Sequence, residues 1–366
     1  MPKFLEIKPE SFGLDISDTS IKVVRLKKKM NNFSLASLGE EKVNPGVLEN
    51  GVIRDQDSLV ESIKKAVSNV KGEKIRIKNV ACSLPEEKSF LEVIKMPKIK
   101  KEDLKNAVKY EAENYIPMSI EDVYLDSHLL KPAHEHLEHA EVLVVACPKN
   151  VVDPYISCLK KAGLQPRILE VESLAIARAL VKNEVVPQDM LLIDIGANRT
   201  SFIIFSGYSL RFTSSIHTSG EELTRAISEK LAISPKKAEK MKIKYGLAGR
   251  TEKGKEVLNA LSSHLQTLVD EVSKHLSFYR THGHGRKGPL PSNEPGIEKI
   301  IICGGGANLV GLNNYLNDKL KIPVEVGNPW VNVLKDPNQD QPLSPEKSIK
   351  YTTAIGLALR GIREKS

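Results

Sequence analysis

The sequence feature that most limits the fold of this chain is a strand–turn–strand pattern that occurs twice, about 180 residues apart. Residues 13–26 read GLDISDTSIKVVRL, and residues 192–205 read LIDIGANRTSFIIF. In both copies an apolar run ends in Asp-Ile, small polar turn formers follow, and a second apolar run begins. We interpret the copies as a duplication that gives the chain two related α/β halves. A chance likeness between two β-hairpins is the alternative.

The composition is that of a globular chain with two or three domains. The 366 residues carry 54 Lys and Arg against 46 Asp and Glu, a net charge of +8, and 40% of them are hydrophobic. The N-terminus is too charged for a signal peptide, and no apolar run approaches the roughly 18 residues that span a bilayer. No CxxC spacing relates Cys82, Cys147, Cys158 and Cys303, which indicates buried thiols in a cytoplasmic protein.

Apolar periodicity predicts helices around these strands. The clearest is 252–279, where leucine and valine recur at steps of three and four residues. Further helices are predicted at 57–70, 102–115, 309–319 and 354–359. Residues 219–245 are helical in pattern with a break at Ser234-Pro235, a cap followed by proline at the first helical position. Asp153 before Pro154 predicts another helix start of the same kind.

Two carboxylates, Asp15 and Asp194, each end a predicted strand just before a polar turn. Such turns present backbone N–H groups and hydroxyls to phosphate oxygens, and a carboxylate beside phosphates can hold Mg²⁺ through its water shell. Gly196 lets the backbone approach a phosphate closely, and Lys22 offers a point charge. The remaining turn residues are Ser17, Asp18, Thr19, Ser20, Ala197, Asn198 and Thr200. For either turn alone, an ordinary tight hairpin is the alternative.

A glycine run, Gly304-Gly305-Gly306 followed by Ala307, connects an apolar strand to a predicted helix. The missing side chains allow close approach of a base or a phosphate, and the helix start adds a favourable dipole. The run lacks the GxGxxG spacing and the acidic residue of a Rossmann dinucleotide site. Taken alone, it is weak support for nucleotide binding.

The order of these segments resembles the actin-like ATPase superfamily, and within it the PilM family of type IV pilus assembly proteins, related to FtsA. The Asp15 and Asp194 turns resemble the two phosphate motifs, residues 300–308 the adenosine motif, and residues 169–180 and 351–361 the two connecting helices. The segments shared with the PilM family are GLDIS…IKVVRL, FLEVIKMPKIKKEDLKNAVKYEAENYIP, LEVESLAIARAL, TSGEELTRAISEKLAI and IIICGGGANLVGL.

The resemblance runs from about residue 12 to residue 361 and implies an α/β actin-like ATPase fold, in which duplicated ribonuclease H-like domains form two lobes with four subdomains. The implied boundaries are 11–88 with 167–189 (first lobe core, 1A), 89–166 (inserted subdomain, 1C), 190–216 with 298–362 (second lobe core, 2A) and 217–297 (helical subdomain, 2B). The sequence departs from the family at Ser17 and Ser219, where Gly is usual, and at Glu170, where Asp is common.

The resemblance further implies that ATP and Mg²⁺ bind between the lobes. Asp15 and Asp194 would face the Mg²⁺, Glu172 and Asp194 would polarise a water for at most slow hydrolysis, and Glu222 and Arg225 would reach the ribose or base. The implied nucleotide-binding residues are Asp15, Ser17, Asp18, Thr19, Ser20, Lys22, Gly196, Ala197, Asn198, Thr200, Gly220, Glu222, Arg225, Gly304, Gly305, Gly306, Ala307 and Asn308.

A partner is implied as well, because the PilM family binds the cytoplasmic N-terminal tail of PilN, a single-span membrane protein, with its inserted subdomain and the adjoining lobe. Here the groove would lie along residues 90–120, with Leu91, Ile94, Leu104 and Val108 as apolar candidates, some of which pack the core instead. We therefore expect a cytoplasmic scaffold peripheral to the inner membrane, which reaches the membrane through this partner and binds no specific nucleic acid.

Two other functions stay open at this point, and so does the oligomeric state. An FtsA-like filament-forming division protein would carry a C-terminal amphipathic helix, whereas this sequence ends in GIREKS just after its last predicted helix. An actin-fold small-molecule kinase would need a catalytic Asp and polar substrate residues in the cleft, for which we find no motif.

Overall fold

The structure, a computed structural model, describes residues 10–29, 32–97, 104–130, 139–282, 296–336 and 341–363. The strands are β1 Phe12–Ile16, β2 Ser20–Lys29, β3 Asn32–Lys42, β4 Leu48–Glu49, β5 Val52–Ile53, β6 Lys71–Gly72, β7 Asn79–Leu84, β8 Phe90–Pro97, β9 Val123–Leu129, β10 His139–Pro148, β11 Gln165–Val171, β12 Met190–Ile195, β13 Thr200–Ser206, β14 Ser209–Ile216, β15 Lys299–Cys303 and β16 Val324–Val326. The helices are α1 Gln56–Ser68, α2 Leu104–Ala112, α3 Lys149–Lys161, α4 Glu172–Leu180, α5 Gly220–Lys230, α6 Pro235–Tyr245, α7 Glu252–His282, α8 Leu312–Leu320, α9 Pro345–Ser348 and α10 Thr352–Arg363. Within the described ranges, no helix is both long and apolar enough to cross a membrane.

Two sheets repeat one topology, as the duplicated pattern predicts. The first sheet has the strand order β11-β7-β1-β2-β3-β6, and the second has the order β14-β13-β12-β15-β16. In the first, β1 pairs antiparallel with β2 and parallel with β7; in the second, β12 pairs antiparallel with β13 and parallel with β15. Asp15 and Asp194 therefore occupy the same place in the two sheets, near the carboxyl end of the strand between the hairpin partner and the parallel partner. We call the two halves built on these sheets the first and second lobes.

A third sheet, of order β8-β10-β9, lies within the predicted inserted subdomain. Alternate residues of its strands, such as Ile94 and Val142, pack under α2 in a small core of their own. The opposite face of this sheet, including Leu91 and Leu143, joins the main core of the protein. Strands β8 and β10 are therefore apolar on both faces. The boundaries predicted for the four subdomains stay predictions.

Helix α3 begins at Lys149, and the helix start predicted at Asp153-Pro154 is wrong, because Pro154 lies inside the helix. Pro154 has no N–H to offer the carbonyl of Asn150, but Asn150 is exposed, so water can bind that carbonyl. Asp153 instead accepts a hydrogen bond from the hydroxyl of Tyr124 at 2.9 Å. The start predicted at Ser234-Pro235 agrees with the structure, where Ser234 is the N-cap and Pro235 the first residue of α6.

A buried ion pair ties the third sheet to the second lobe. Glu141 on β10 and Arg211 on β14 lie 2.5 Å apart, with side chains 7% and 5% exposed. The strand edges β8 and β14 also contact each other, although they are not paired as one sheet. The inserted segment is thus connected to the first lobe along the chain and packs against both lobes.

Helices α4 and α10 pack so closely next to the first sheet that their backbones are in contact. A Cβ atom built on Gly356 of α10 would lie 1.9 Å from the carbonyl oxygen of Ala175 in α4. On β1, a Cβ atom built on Gly13 would lie 2.2 Å from the carbonyl oxygen of Ala354. Since both obstacles are backbone atoms, no side-chain rotation can make room, and the crossing requires glycine at both positions.

We predict that Gly356→Ala destabilises the protein by about 2–3 kcal/mol or more, because the added methyl must separate two packed elements. The sign is informative, since Gly→Ala in an unobstructed helix stabilises by about 1 kcal/mol. Urea denaturation measures the change, with Gly296→Ala as the control, because a Cβ atom at Gly296 meets nothing within 4 Å. Equal stability of Gly356→Ala and wild type would contradict the packing described here.

Candidate functional site

Asp15 and Asp194 face one cavity of about 260 Å³ in the cleft between the two lobes. The predicted residues that line it are Asp15, Ser17, Asp18, Thr19, Ser20, Lys22, Glu172, Asp194, Gly196, Ala197, Asn198, Gly304 and Gly305. Thr352 and Thr353, at the start of α10, line it as well and were not predicted. Two strand ends, two hairpin turns, a glycine turn and two helix starts thus converge on a single space.

A wider cavity of about 1320 Å³ adjoins the first, and Gly196, Ala197, Asn198 and Gly305 line both. Of the predicted residues it adds Gly220, Glu222, Arg225, Gly306 and Asn308. The structure does not bring Thr200 or Ala307 to either cavity, which corrects these two predictions. Both are buried: Thr200 donates to the carbonyl of Thr218 at 2.6 Å, and Ala307 packs in the core.

Glu239, Lys242 and Ile243 of α6 also line the wider cavity, and sequence reasoning missed them. The Lys242 ammonium donates to the Gly220 carbonyl at 2.6 Å and to the Thr224 hydroxyl at 2.7 Å, and it pairs with Glu239 at 2.7 Å. It therefore holds the first turn of α5 against α6. The signal in the sequence is the spacing of Glu239 and Lys242, three residues apart on one helix face.

Asp15 is buried but compensated by its neighbours. The Lys22 ammonium lies 3.6 Å from its carboxylate, and the Ser83 hydroxyl donates to it at 3.2 Å. Ser83 in turn accepts the N–H of Ile16 at 2.9 Å, which fixes the hydroxyl in place. The carboxylate is thus oriented by groups from β2 and β7, its two neighbouring strands.

Glu172 and Asp194 lie in the same cleft, and among the residues that the structure describes neither of them forms an ion pair. Desolvation, and next the negative charge of Asp15, raise the pKa of Asp194 to about 6. Desolvation, with repulsion from Asp15 and other carboxylates, raises the pKa of Glu172 well above its usual value. A cation placed among these groups would relieve the repulsion and favour the ionised forms.

The glycine turn is shaped around Asp194. Gly304 has φ +79°, a conformation that favours glycine, and a Cβ atom built on it would lie 2.2 Å from Oδ1 of Asp194. The Cys303 thiol, just before it, donates to the same Oδ1 at 3.5 Å. The turn can approach the carboxylate this closely only because it lacks a side chain.

Two sets of side-chain contacts connect the lobes across the cleft. Asp18 accepts hydrogen bonds from the N–H groups of Asn50 and Gly51, at 2.9 and 3.1 Å, and from Nδ2 of Asn198 at 3.0 Å. Arg199 pairs with Glu87 at 3.0 Å. Asp18 therefore connects the two lobes through Asn198, and it also anchors the turn between β4 and β5 in its own lobe.

The donor set fits Mg²⁺ bound to phosphates better than a metal held by protein ligands alone. Within the described ranges, no group of three or more His, Cys, Asp or Glu residues is placed to hold a metal ion. Asp15 and Asp194 offer carboxylate oxygens, and the buried Oδ1 of Asn198 has no hydrogen-bond partner. Mg²⁺ commonly binds through one or two carboxylates, with water and substrate phosphates completing its shell.

The residues proposed for a peptide groove are largely core residues. Leu91, Ile94 and Val108 are 9%, 1% and 1% exposed, so in this conformation they pack the protein interior and do not line a groove. The side chain of Leu104 lies outside the described part of the structure.

The departures from the family pattern have structural roles: Ser219 caps α5, Ser17 bonds within its turn, and Glu170 pairs with buried Arg178.

An open groove of about 520 Å³ lies instead between the third and first sheets. Tyr124, Leu125 and Asp126 of β9 line one side, and 166–171 of β11 line the other. In the described part of the chain, β9 pairs only with β10, and β11 only with β7, so each is an edge strand. Sequence reasoning missed this groove because it depends on how the two sheets are juxtaposed.

The matching sheets with one cleft between them are those of an actin-like ATPase fold. A solved structure described as the PilM-PilN type IV pilus biogenesis complex is 28% identical, with a TM-score of 0.79, over 97% of this chain and 99% of that one. MreB5 of Spiroplasma citri bound to AMPPNP, 17% identical with a TM-score of 0.53 over 96% of both chains, shares the fold. The cell division protein FtsA of Enterococcus hirae is 26% identical over 354 residues, 86% of this chain and 78% of FtsA.

The sequence profile of one family, described as type IV pilus assembly protein PilM, matches residues 13–362. This chain belongs to the PilM family of type IV pilus assembly proteins. The family assignment and the fold predicted from the sequence are thereby confirmed, and FtsA is a more distant relative.

The cleft carboxylates predict how stability depends on pH. Because the folded-state pKa of Asp194 is above its usual value, the folded protein binds a proton that the unfolded chain releases, and stability falls as pH rises from about 4 to about 7. A shift from 3.8 to about 6 corresponds to about 3 kcal/mol.

Denaturation of the nucleotide-free protein between pH 4 and pH 8 measures this loss. We expect Asp194→Asn to remove much of it, so that the variant equals or exceeds wild type in stability at pH 8. Asp270→Asn, on the exposed side of α7, is the matched control and should retain the wild-type pH profile. An unchanged profile in Asp194→Asn would contradict this assignment.

Proposed function

We propose that this protein is a nucleotide-binding scaffold of a type IV pilus machine, which holds Mg-ATP in the cleft and binds the N-terminal peptide of a PilN-like membrane protein. The observation that carries the nucleotide proposal is the placement of Asp15 and Asp194 at corresponding strand ends, facing one cavity beside two polar turns and a glycine turn. A nucleotide-bound relative of the same fold, MreB5 with AMPPNP, supports it.

In this proposal, the small cavity takes the phosphates and Mg²⁺. Backbone N–H groups of the two turns and the hydroxyls of Ser17, Thr19 and Ser20 would bind phosphate oxygens, with Lys22 as the nearby cation. Asp15 and Asp194 would hold the Mg²⁺, which supplies positive charge against the phosphates. The carboxylates that repel each other in the free protein would then share a cation.

The wider cavity would take the nucleoside. The carboxylate of Glu239 is oriented by Lys242 and Thr224 and is 45% exposed, so it can accept hydrogen bonds from ribose hydroxyls. Ile243 and Val310 offer apolar surface to the base, and both line this cavity. Gly305 also lines this cavity, and a Cβ atom built on it would meet nothing within 4 Å, so the missing side chain leaves room for a flat ring.

Slow turnover, or none, follows from the environment of Glu172. A general base must be ionised at the working pH, and desolvation raises the pKa of Glu172 well above its usual value. In the nucleotide-free cleft, burial thus disfavours the ionised form of Glu172, which is the form that could take a proton from water. The bound nucleotide would therefore act by stabilising one arrangement of the lobes, as a ligand that shifts a conformational population.

Calorimetry with Mg-ATP tests the nucleotide proposal. We expect saturable binding by wild type and at least tenfold weaker binding by Asp194→Ala and Asp15→Ala, because each loses an oxygen that faces Mg²⁺. Asp270→Ala, an exposed carboxylate on α7, should bind like wild type. Failure of wild type to bind, or equal binding by Asp194→Ala, would overturn the proposal.

For the partner, we propose the groove between β9 and β11. Both walls are edge strands, and each has one side that pairs with no other strand in the described part of the chain, so an extended peptide can add there as a strand while its side chains fill the groove. Tyr124 lines this groove and is 47% exposed, and its hydroxyl donates a hydrogen bond to Asp153, which holds the ring in place. The solved structure described as a PilM-PilN complex supports a PilN-like partner.

The PilN-like tail peptide should bind Tyr124→Ala about tenfold more weakly than wild type, since aromatic side chains at the centre of an interface commonly contribute 1–2 kcal/mol or so, roughly a factor of ten. Fluorescence anisotropy with the labelled peptide measures the affinity. Tyr110→Ala is the matched control, because Tyr110 on α2 is 76% exposed and does not line the groove. If both variants bind like wild type, or if Tyr110→Ala loses as much affinity as Tyr124→Ala, the peptide lies elsewhere.

A further inference from the structure

The positive charge of this chain is concentrated in one short segment of the second lobe. Residues 230–255 contain eight Lys and one Arg against two Glu, a net charge of +7, whereas the whole chain carries +8. The segment comprises the end of α5, all of α6 and the beginning of α7. The other residues together are nearly neutral, so any long-range electric field of the protein originates mainly here.

The side chains of helix α6 point in three directions, toward the core, toward the wider cavity and toward solvent. Ala238 faces the core, and Pro235, Glu239, Lys242 and Ile243 line the wider cavity. At about 100° per residue, the remaining sector carries lysine alone. Its four members, all exposed, are Lys236, Lys237, Lys240 and Lys244. We call these four side chains the lysine face.

The lysine face has no acidic partner in the part of the chain that the structure describes. Of the nine basic residues in 230–255, Lys242 alone is in an ion pair within the described residues. Lys236, Lys240 and Lys244 follow one another at intervals of four residues, an arrangement in which like charges destabilise a helix. A polyanion bound along this face would remove that repulsion.

The chemistry of the face favours a diffuse anionic surface over a nucleic acid. Seven of the eight exposed basic residues in 230–255 are lysines, which act as point charges and lack the planar fork with which Arg binds phosphates and bases in a defined geometry. Tyr245, the one aromatic residue of the segment, is not exposed enough to be a stacking platform. The face also projects from a helix rather than lining a groove.

We propose that the lysine face, with the basic residues that flank it, binds the anionic headgroups of a lipid bilayer. None of the four lysines lines either cavity of the cleft or the groove between β9 and β11. The bilayer contact is therefore separate from the nucleotide and peptide sites, and it places the second lobe against the membrane.

Flotation of the full chain with vesicles tests the proposal. Wild type should bind vesicles that contain phosphatidylglycerol, should bind pure phosphatidylcholine vesicles weakly, and should dissociate as salt is raised. The triple variant Lys236→Gln, Lys240→Gln, Lys244→Gln should bind the anionic vesicles roughly a hundredfold more weakly, because each basic residue near the surface raises the affinity about fivefold.

Two variants separate the lysine face from net charge and from misfolding. Lys64→Gln, Lys71→Gln, Lys74→Gln removes the same charge from exposed positions of the first lobe and should bind like wild type. The charge-preserving triple Lys→Arg variant at 236, 240 and 244 should also retain binding. Equal loss of vesicle binding in both Gln triple variants would overturn the proposal. Wild type that binds vesicles with and without phosphatidylglycerol equally, or that binds a single-stranded oligonucleotide more tightly than the vesicles at equal salt, would overturn it as well.

Discussion

Three backbone segments near the cleft approach more closely than any side chain would permit, and the rest of the site depends on this contact. Gly356 brings α10 against α4, and Gly13 brings β1 against α10. The ends of these elements then reach the same place: β1 ends at Asp15, α4 begins at Glu172 and α10 begins at Thr352. Bulkier residues at the crossing would separate the groups that define the cavity.

The duplicated topology and the cavity could be predicted from local sequence, because the groups concerned lie within a few residues of a strand end. Asp15, Asp194 and Gly304 meet for that reason. Residues that reach the site through tertiary packing could not be found in this way. Glu239 and Lys242 belong to a helix that reads as an ordinary charged helix until α5 packs beside it. The β9–β11 groove likewise exists only where two separate sheets lie side by side.

The points that the sequence leaves open or predicts wrongly also have physical causes. The sequence cannot decide whether Ile94 and Val108 line a groove or pack the core, because an apolar residue has the same pattern whether it packs under α2 or binds a partner. Asp153-Pro154 has the pattern of a helix start, yet a helix tolerates proline where the carbonyl that it leaves without an N–H donor is exposed to water. Thr200 has a hydroxyl in the right turn, but its strand direction points that hydroxyl at the carbonyl of Thr218.

The buried ion pair of Glu141 and Arg211 connects the inserted segment to the second lobe, although the chain connects that segment to the first lobe. Separating two desolvated charges is costly, so we expect the third sheet to move with the second lobe. The groove between β9 and β11 has one wall on each side of that division. Any hinge motion that turns the lobes must therefore slide the two walls past each other or break the ion pair. As long as the ion pair is intact, the width of the groove therefore changes when the cleft opens or closes.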